Sequence, residues 1–354
     1  MNPRTPLDTT RVSRRTLLRG AAGLGVAAFV TPLLGACGDD DKERVAAQSP
    51  TETSAIRIPK VALTAAIAQA MAAEFLREEG FTDIQYVTVA RPEEIFSRFA
   101  NNEFDMTLLP ANMVTARVDA GDPIVALAGM NAGCFQIVAS NAVKTLSDCR
   151  GKRLASSGAG FPDDIFLSLT LRNVGIDMRK ENTILTQPHD AAVQALTSGE
   201  VDAMVTYPPL VNRLRTSDVA HLILDANVDR PWSQYIFSMA VVHRDYLTKN
   251  PVATKRALRA LLKAADVVAK EPERAAQASK AQGFIPEPLY TPTLNELPMI
   301  PYNVWRTYDP ADTMRFYALR LKESGLINST PDQILTKGTD FRFLRELKQE
   351  LKAG

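Results

Sequence analysis

The chain has 354 residues, enough for two domains of ordinary size, each with its own core. Hydrophobic residues make up 45% and charged residues 23%, the balance of a soluble globular protein, which excludes extended disorder and an integral membrane bundle. Lys and Arg number 41 against 40 Asp and Glu, leaving no basic surplus for nucleic acid, and three His with three Cys lack zinc-ligand spacing, so neither a metal nor a cofactor is expected.

In chain order, Arg4, Arg11, Arg14, Arg15 and Arg19 stand against the single acid Asp8, and an uncharged Gly- and Ala-rich run follows over residues 20–36. That run is short of the ~20 apolar residues a spanning helix needs, so it reads as an export signal peptide over 1–36. Ser13-Arg14-Arg15-Thr16-Leu17-Leu18-Arg19 resembles a twin-arginine signal, and Leu34-Gly35-Ala36-Cys37 resembles a lipoprotein box, with Cys37 the lipidation site. Without residues 1–36, which hold five Arg and one Asp, the formal charge falls from +1 to −3. Residues 37–54 are polar and aperiodic, the composition of a lipidated tether.

From residue 55 a pattern of strand, helix, glycine, strand, helix, turn and strand occurs twice. The first copy places strands at 55–58, 84–89 and 106–109, with helices over 63–79 and from Pro92; the second places strands at 153–156, 183–185 and 203–206, with helices over 165–172 and 191–196. The helix-ending glycines, Gly80 and Gly175, lie 95 positions apart, and the turns Glu103-Phe104-Asp105 and Glu200-Val201-Asp202 lie 97 apart. Each copy continues with a helix and a strand (111–119 and 124–127; 210–215 and 221–224), and 237–242 reads as a strand returning to the first half. The expected fold is α/β with two lobes, each a mainly parallel sheet flanked by helices: lobe 1 from 55–138 plus 239–354, lobe 2 from 139–238. Beyond it, Asn250-Pro251 opens a helix whose apolar stripe is Leu258, Leu261, Leu262, Ala265 and Ala269; a Pro-rich stretch wraps over 284–310; helices over 313–324 and 341–351 follow.

Ligands of open parallel sheets bind outside the carboxyl ends of the strands, which selects the loops 59–64, 110–113, 129–134, 156–163, 207–209 and 232–235. Ser156-Ser157-Gly158-Ala159-Gly160-Phe161-Pro162-Asp163 puts two hydroxyls and two glycines between a strand and a helix, so its N–H groups either hold an anion or serve the turn itself. Trp232, Tyr235 and Tyr207 suit a pocket wall or inter-lobe packing, and Arg230 is either a counter-ion for an anionic solute or a structural ion pair. Cys134 with His189, His221 or His243 would be needed for a thiolate–imidazole pair, but no spacing supports one, and Cys134 and Cys149 are within the reach of a bridge only if the fold brings them together. The acid pairs Glu93-Glu94 and Asp163-Asp164 fit helix starts.

Several runs resemble the bacterial solute-binding proteins of the nitrate/sulfonate/taurine type, components of ABC importers. They are Gly199-Glu200-Val201-Asp202-Ala203, Leu146-Ser147-Asp148-Cys149-Arg150-Gly151-Lys152-Arg153, Pro251-Val252-Ala253-Thr254-Lys255-Arg256-Ala257-Leu258-Arg259-Ala260, Val228-Asp229-Arg230-Pro231-Trp232-Ser233-Gln234-Tyr235 and Thr339-Asp340-Phe341-Arg342-Phe343. The resemblance spans about residues 55–350 and implies a two-lobed periplasmic-binding-protein-like fold of type II. It also implies capture of a small anionic or heteroaromatic nutrient without chemistry, and delivery to an ABC permease by a lipid-anchored monomer outside the cytoplasm. Carried over by position, Pro110, Ala111, Asn131, Ser156, Ser157, Gly158, Tyr207 and Trp232 are the implied ligand contacts. The fold also hosts a thiamin-pyrimidine synthase and a sulfinate desulfinase, but Gly133-Cys134-Phe135 holds one sulfur where the synthase has a cysteine-rich motif. An extracytoplasmic enzyme using Cys134 and a protein-binding lipoprotein are the alternatives.

Overall fold

The computed structural model describes residues 52–211, 214 and 218–353. Arg14, Arg15 and Cys37, with the proposed signal peptide and nearly all of the tether, lie outside the described residues.

The repeat has a physical cause in two matching clasps. Strand β1 (Ala55–Lys60) is followed by α1 (Ile67–Glu78), β2 (Asp83–Thr88), α2 (Glu94–Ala100) and β3 (Met106–Pro110). Strand β4 (Ile124–Ala132) follows α3 (Ala111–Asp119), and β5 (Gln136–Ser140) leads to the second unit: β6 (Arg153–Ser156), α4 (Pro162–Arg172), α5 (Met178–Glu181), β7 (Thr183–Thr186), α6 (His189–Thr197) and β8 (Ala203–Thr206). In the first unit Asp105 accepts from the Arg57 backbone N–H at 2.7 Å and from its guanidinium Nη2 at 2.6 Å, while the Asp105 N–H donates to the Arg57 carbonyl at 2.9 Å. In the second, Asp202 accepts from the Arg153 N–H at 2.9 Å and Nη2 at 2.8 Å, and its own N–H donates to the Arg153 carbonyl at 2.7 Å. The aspartate of each Glu-apolar-Asp turn thus ties the entry of a unit's last strand to its first. Gly80 and Gly175 end α1 and α4 with φ of +94° and +75°, a left-handed turn in which the next residue's N–H reaches back to Leu76 and Leu171.

Pairing is parallel for β1 with β2, β6 with β7 and β6 with β8. It turns antiparallel where chain segments cross between the units. Strand β9 (Ala220–Asp225) completes a five-stranded sheet in the order β7-β6-β8-β5-β9, in which β5 runs against both neighbours, and β10 (Ile236–His243) returns between β3 and β4 against both. The five-stranded sheet is therefore mixed, β1 and β2 form a purely parallel pair, and β3, β10 and β4 form a purely antiparallel sheet, so parallel ladders are confined to the repeated units. Strand β5 was not anticipated, and β4 runs five residues beyond its expected end at residue 127.

After α7 (Arg244–Lys249), helix α8 (Pro251–Lys270) starts on a proline and buries Leu258, Leu261, Leu262, Ala265 and Val268. Val268, not the exposed Ala269, ends the stripe, because the helical period places the last core contact one residue earlier. This face packs on the Ala-rich α1, and Arg259 reaches the buried Glu79 at 2.6 Å. The Pro-rich stretch is not an open wrap: it contains a helix over Glu287–Glu296, with Pro286 and Pro288 at its start, where an absent N–H costs nothing. Helices over Pro310–Glu323, Pro331–Gly338 and Arg342–Glu350 complete the chain; the middle one, with its Thr330–Gln333 capping box, was not anticipated.

Candidate functional site

The carboxyl ends of β1, β2, β3, β6 and β8 converge on a cavity of about 80 Å³, room for roughly half a dozen waters or a small organic molecule. Five of the six expected loops reach it. Val61 and Leu63 follow β1, Pro110 ends β3, Cys134 lies between β4 and β5, Ser157 and Phe161–Asp163 follow β6, and Tyr207 and Pro208 follow β8. The sixth loop, 232–235, does not line it. Aromatic rings form much of the wall: Phe135 meets Phe237 edge-on at 4.7 Å between centroids, Phe96 meets Phe161 at 6.2 Å, and Tyr207 stacks on His189 at 4.2 Å.

Among the implied ligand contacts, Pro110, Ser157 and Tyr207 are brought together at the cavity. Ala111 is buried at the start of α3, and Ser156 is buried behind the wall, its hydroxyl donating to Asp164 at 3.1 Å. Gly158 also stands outside the lining; a Cβ there would press on the Phe161 ring at 3.2 Å. Trp232 is a core residue, 3% exposed, packed between Phe166 at 4.8 Å and Phe316 at 5.9 Å, and it reaches the cavity only through Phe166 and Phe135. Tyr235 stacks on Phe316 at 3.8 Å, and Arg230 is exposed. Asn131 lies opposite the lining residue Ser238 in the β4–β10 ladder and is fully buried, with neither its amide nitrogen nor its oxygen hydrogen-bonded.

The Ser/Gly loop spends two of its backbone donors, those of Ser157 and Gly160, on the chain's own acids. The Ser157 N–H donates to Asp163 Oδ2 at 2.7 Å and the Gly160 N–H to Asp164 Oδ2 at 3.0 Å, while Arg179 pairs with Asp164. Those groups are therefore not a free cradle for an anion. Burial pushes the Asp163 carboxyl up to about 6 in spite of the Ser157 N–H, and burial drives the Tyr207 phenol well above its ordinary range, reinforced by Glu93 and Asp163. His189, within hydrogen-bond distance of Thr206 Oγ1 at 3.3 Å, is held down to about 4 by burial.

At the wall, Gly133 and Cys134 both take positive φ, +74° and +82°, where the chain crosses from β4 to β5. The Cys134 N–H donates to Asn227 Oδ1 at 3.2 Å and the Ala226 N–H to the Phe135 carbonyl at 3.0 Å, joining this crossing to the one between β9 and β10. A Cβ on Gly133 would lie 2.1 Å from Asn227 Oδ1 and 2.9 Å from its Cα, so only glycine fits. Burial drives the Cys134 thiol far above its usual range, which keeps it protonated; no hydrogen bond joins it to His189, His221 or His243, and Cys134 and Cys149 are both free thiols. Among the described residues no group of three or more His, Cys, Asp or Glu is placed to hold a metal ion, and no helix is long and apolar enough to cross a membrane.

Glu93, Phe96, Phe135 and Phe237 were not anticipated as lining. The loop after β2 meets the same strand-end criterion as its neighbours, so Pro92–Phe96 could have been found by applying that criterion to every strand.

Sheets of this topology with a cavity at the strand ends are the periplasmic-binding-protein fold. The structure resembles the crystal structure of the periplasmic nitrate-binding protein NrtA from Synechocystis PCC 6803, with a TM-score of 0.74 and 17% identity over 86% of this chain and 91% of that one. It also resembles the alkanesulfonate-binding protein SsuA from Xanthomonas axonopodis pv. citri bound to MOPS, with a TM-score of 0.63 and 17% identity over 79% and 96% of the two chains. Residues 64–275 match the NMT1/THI5-like family, and the chain belongs to that family. A protein of Brucella abortus (strain 2308), named as a candidate binding protein, is 24% identical over 139 residues, which is 39% of this chain and 43% of that protein, so the match spans less than half of its length.

Proposed function

We propose that this protein is an extracytoplasmic solute-binding receptor of an ABC importer, which captures a small organic nutrient between two lobes and hands it unchanged to a membrane permease. The observation that carries this is the aromatic-walled cavity at the strand ends of both repeated units, the position at which open α/β sheets bind ligands. The family match and the kinship in fold to nitrate- and sulfonate-binding proteins support the reading. In it, residues 55–138 with 239–354 form one lobe and 139–238 the other, with the solute favouring the closed arrangement. Pro110, Ser157 and Tyr207 contact the solute, Asn131 meets its polar end directly or through water, and Ala111, Ser156, Gly158 and Trp232 support the wall. A protonated, buried Cys134 with no imidazole partner weighs against an enzyme.

Arg14 and Arg15 direct export and Cys37 carries the lipid, so the anchor is the only membrane attachment of a monomeric receptor. Cys37→Ala would release the protein from the membrane fraction. The test of the reading itself is native mass spectrometry of freshly purified protein, followed by calorimetry with the molecule released. A co-purified small molecule that rebinds one to one, unchanged, is expected; turnover of that molecule, or an empty protein that binds nothing in a broad metabolite panel, defeats the proposal.

A further inference from the structure

The solved relatives named above bind nitrate and alkanesulfonates, both oxyanions, yet the charge of this cavity is of the opposite kind. Two carboxylates, Glu93 and Asp163, line it, and among the described residues no Lys, Arg or His lines it. Glu93, at the start of α2, has no hydrogen bond or ion pair among the described residues. Among the described residues, Arg91 pairs with Glu94 at 3.0 Å and Arg179 with Asp164. Two of the four N–H groups of the Ser157–Gly160 loop, those of Ser157 and Gly160, are held by Asp163 and Asp164. The rest of the wall is apolar, with the rings of Phe96, Phe135, Phe161, Phe237 and Tyr207 offering π faces.

We infer that the cavity, taken as the solute site proposed above, selects a small organic cation with an aromatic or apolar body and rejects oxyanions. The cationic end sits against Glu93 and Asp163, where each carboxylate supplies an unshared acceptor or charge, and the apolar body sits among the rings, which also attract a cation. An anion at the same place meets like charge, with no Lys, Arg or His among the described lining residues to offset it. Selection of this kind works by exclusion as much as by attraction.

Calorimetry of the full chain with three probes of one shape, benzamidinium, benzamide and benzoate, together with methanesulfonate and nitrate, tests the inference at pH 7.5. Benzamidinium is expected to bind about tenfold or more tightly than benzamide, with benzoate, methanesulfonate and nitrate showing no heat. Glu93→Gln, which removes a charge from a side chain with no structural partner, should weaken benzamidinium about tenfold and leave benzamide unchanged. Asp163→Asn, which keeps an oxygen for the Ser157 N–H, should act in the same direction. Benzamide binding as well as benzamidinium, or any of the anions binding more tightly, overturns the charge assignment while leaving the receptor reading intact. Silence from all five probes counts against the cavity as a solute site, and the inference falls with that reading.

Discussion

Replacing Asp105 by alanine removes the acceptor that ties β3 to β1, and the matching Asp202→Ala does the same for β8 and β6, so the two substitutions form an internal comparison. Asp105 has an 8% exposed side chain and accepts from the Arg57 N–H at 2.7 Å and from its guanidinium at 2.6 and 3.2 Å. Its loss leaves a strand N–H without its partner, at about 1–2 kcal/mol, and breaks a mostly buried charge pair, at about 1–2 kcal/mol more. The Arg57 guanidinium keeps the Asn102 carbonyl at 2.7 Å, which caps the total near 3 kcal/mol. In the second unit the partners are more open, 18% exposed for Asp202 and 49% for Arg153, so water screens the pair and replaces part of what is lost. Asp202→Ala should therefore cost about 1–2 kcal/mol. At roughly 2 °C per kcal/mol for a chain of this size, thermal unfolding would fall by about 6 °C for Asp105→Ala and by about 2–4 °C for Asp202→Ala. Equal losses, or a larger loss at Asp202, would show that the clasp energies do not follow burial and would refute the reasoning.

Two buried groups pull the acid stability in opposite directions. His189 is held near 4 in the fold against 6.5 when exposed, so the unfolded chain takes up the proton first and stability falls as pH drops from 6.5 towards 4, by about 3 kcal/mol. Asp163 is raised to about 6 against 3.8, so the fold takes up its proton first and stability grows as pH drops from 6 to 3.8, by about 3 kcal/mol. Urea unfolding across this range should show Asp163→Asn losing stability steeply with acid relative to the parent; parallel profiles would contradict the assignment. Trp232→Ala should cost about 3–5 kcal/mol, the loss for a buried ring, while changing solute affinity little, because the ring backs Phe166 and not the cavity. A large affinity loss with unchanged stability, measured by calorimetry and thermal melting together, would return Trp232 to the wall.

The repeat was legible because its spacing is enforced by paired bonds: Arg57 with Asp105 and Arg153 with Asp202 keep nearly the same separation, so the turns stay in register. Strands β1, β6 and β8 stand out for the same reason, each bounded by a turn or a proline. Strand β5 escaped because Gln136–Ser140 is short and buried throughout but for its last residue, without the alternation that marks a half-exposed strand. Helix Glu287–Glu296 escaped because four prolines in and around it read as an open stretch, although those at its start need no N–H bond. At the cavity, the loops could be named from topology alone. Which side chains face inward could not, since that depends on packing between distant strands: Trp232 and Tyr207 are alike in chemistry, and only the ring of Phe166, filling the space between, separates the one from the wall.

The Arg–Asp clasps sit where β1 and β6 begin, and the cavity sits where the same strands end. The fastenings and the cavity are thus housed at opposite tips of each unit, so exchanges in the loops around the cavity leave the fastenings untouched. A framework divided in this way can change the lining of its cavity through a handful of loop substitutions without first having to be reinforced.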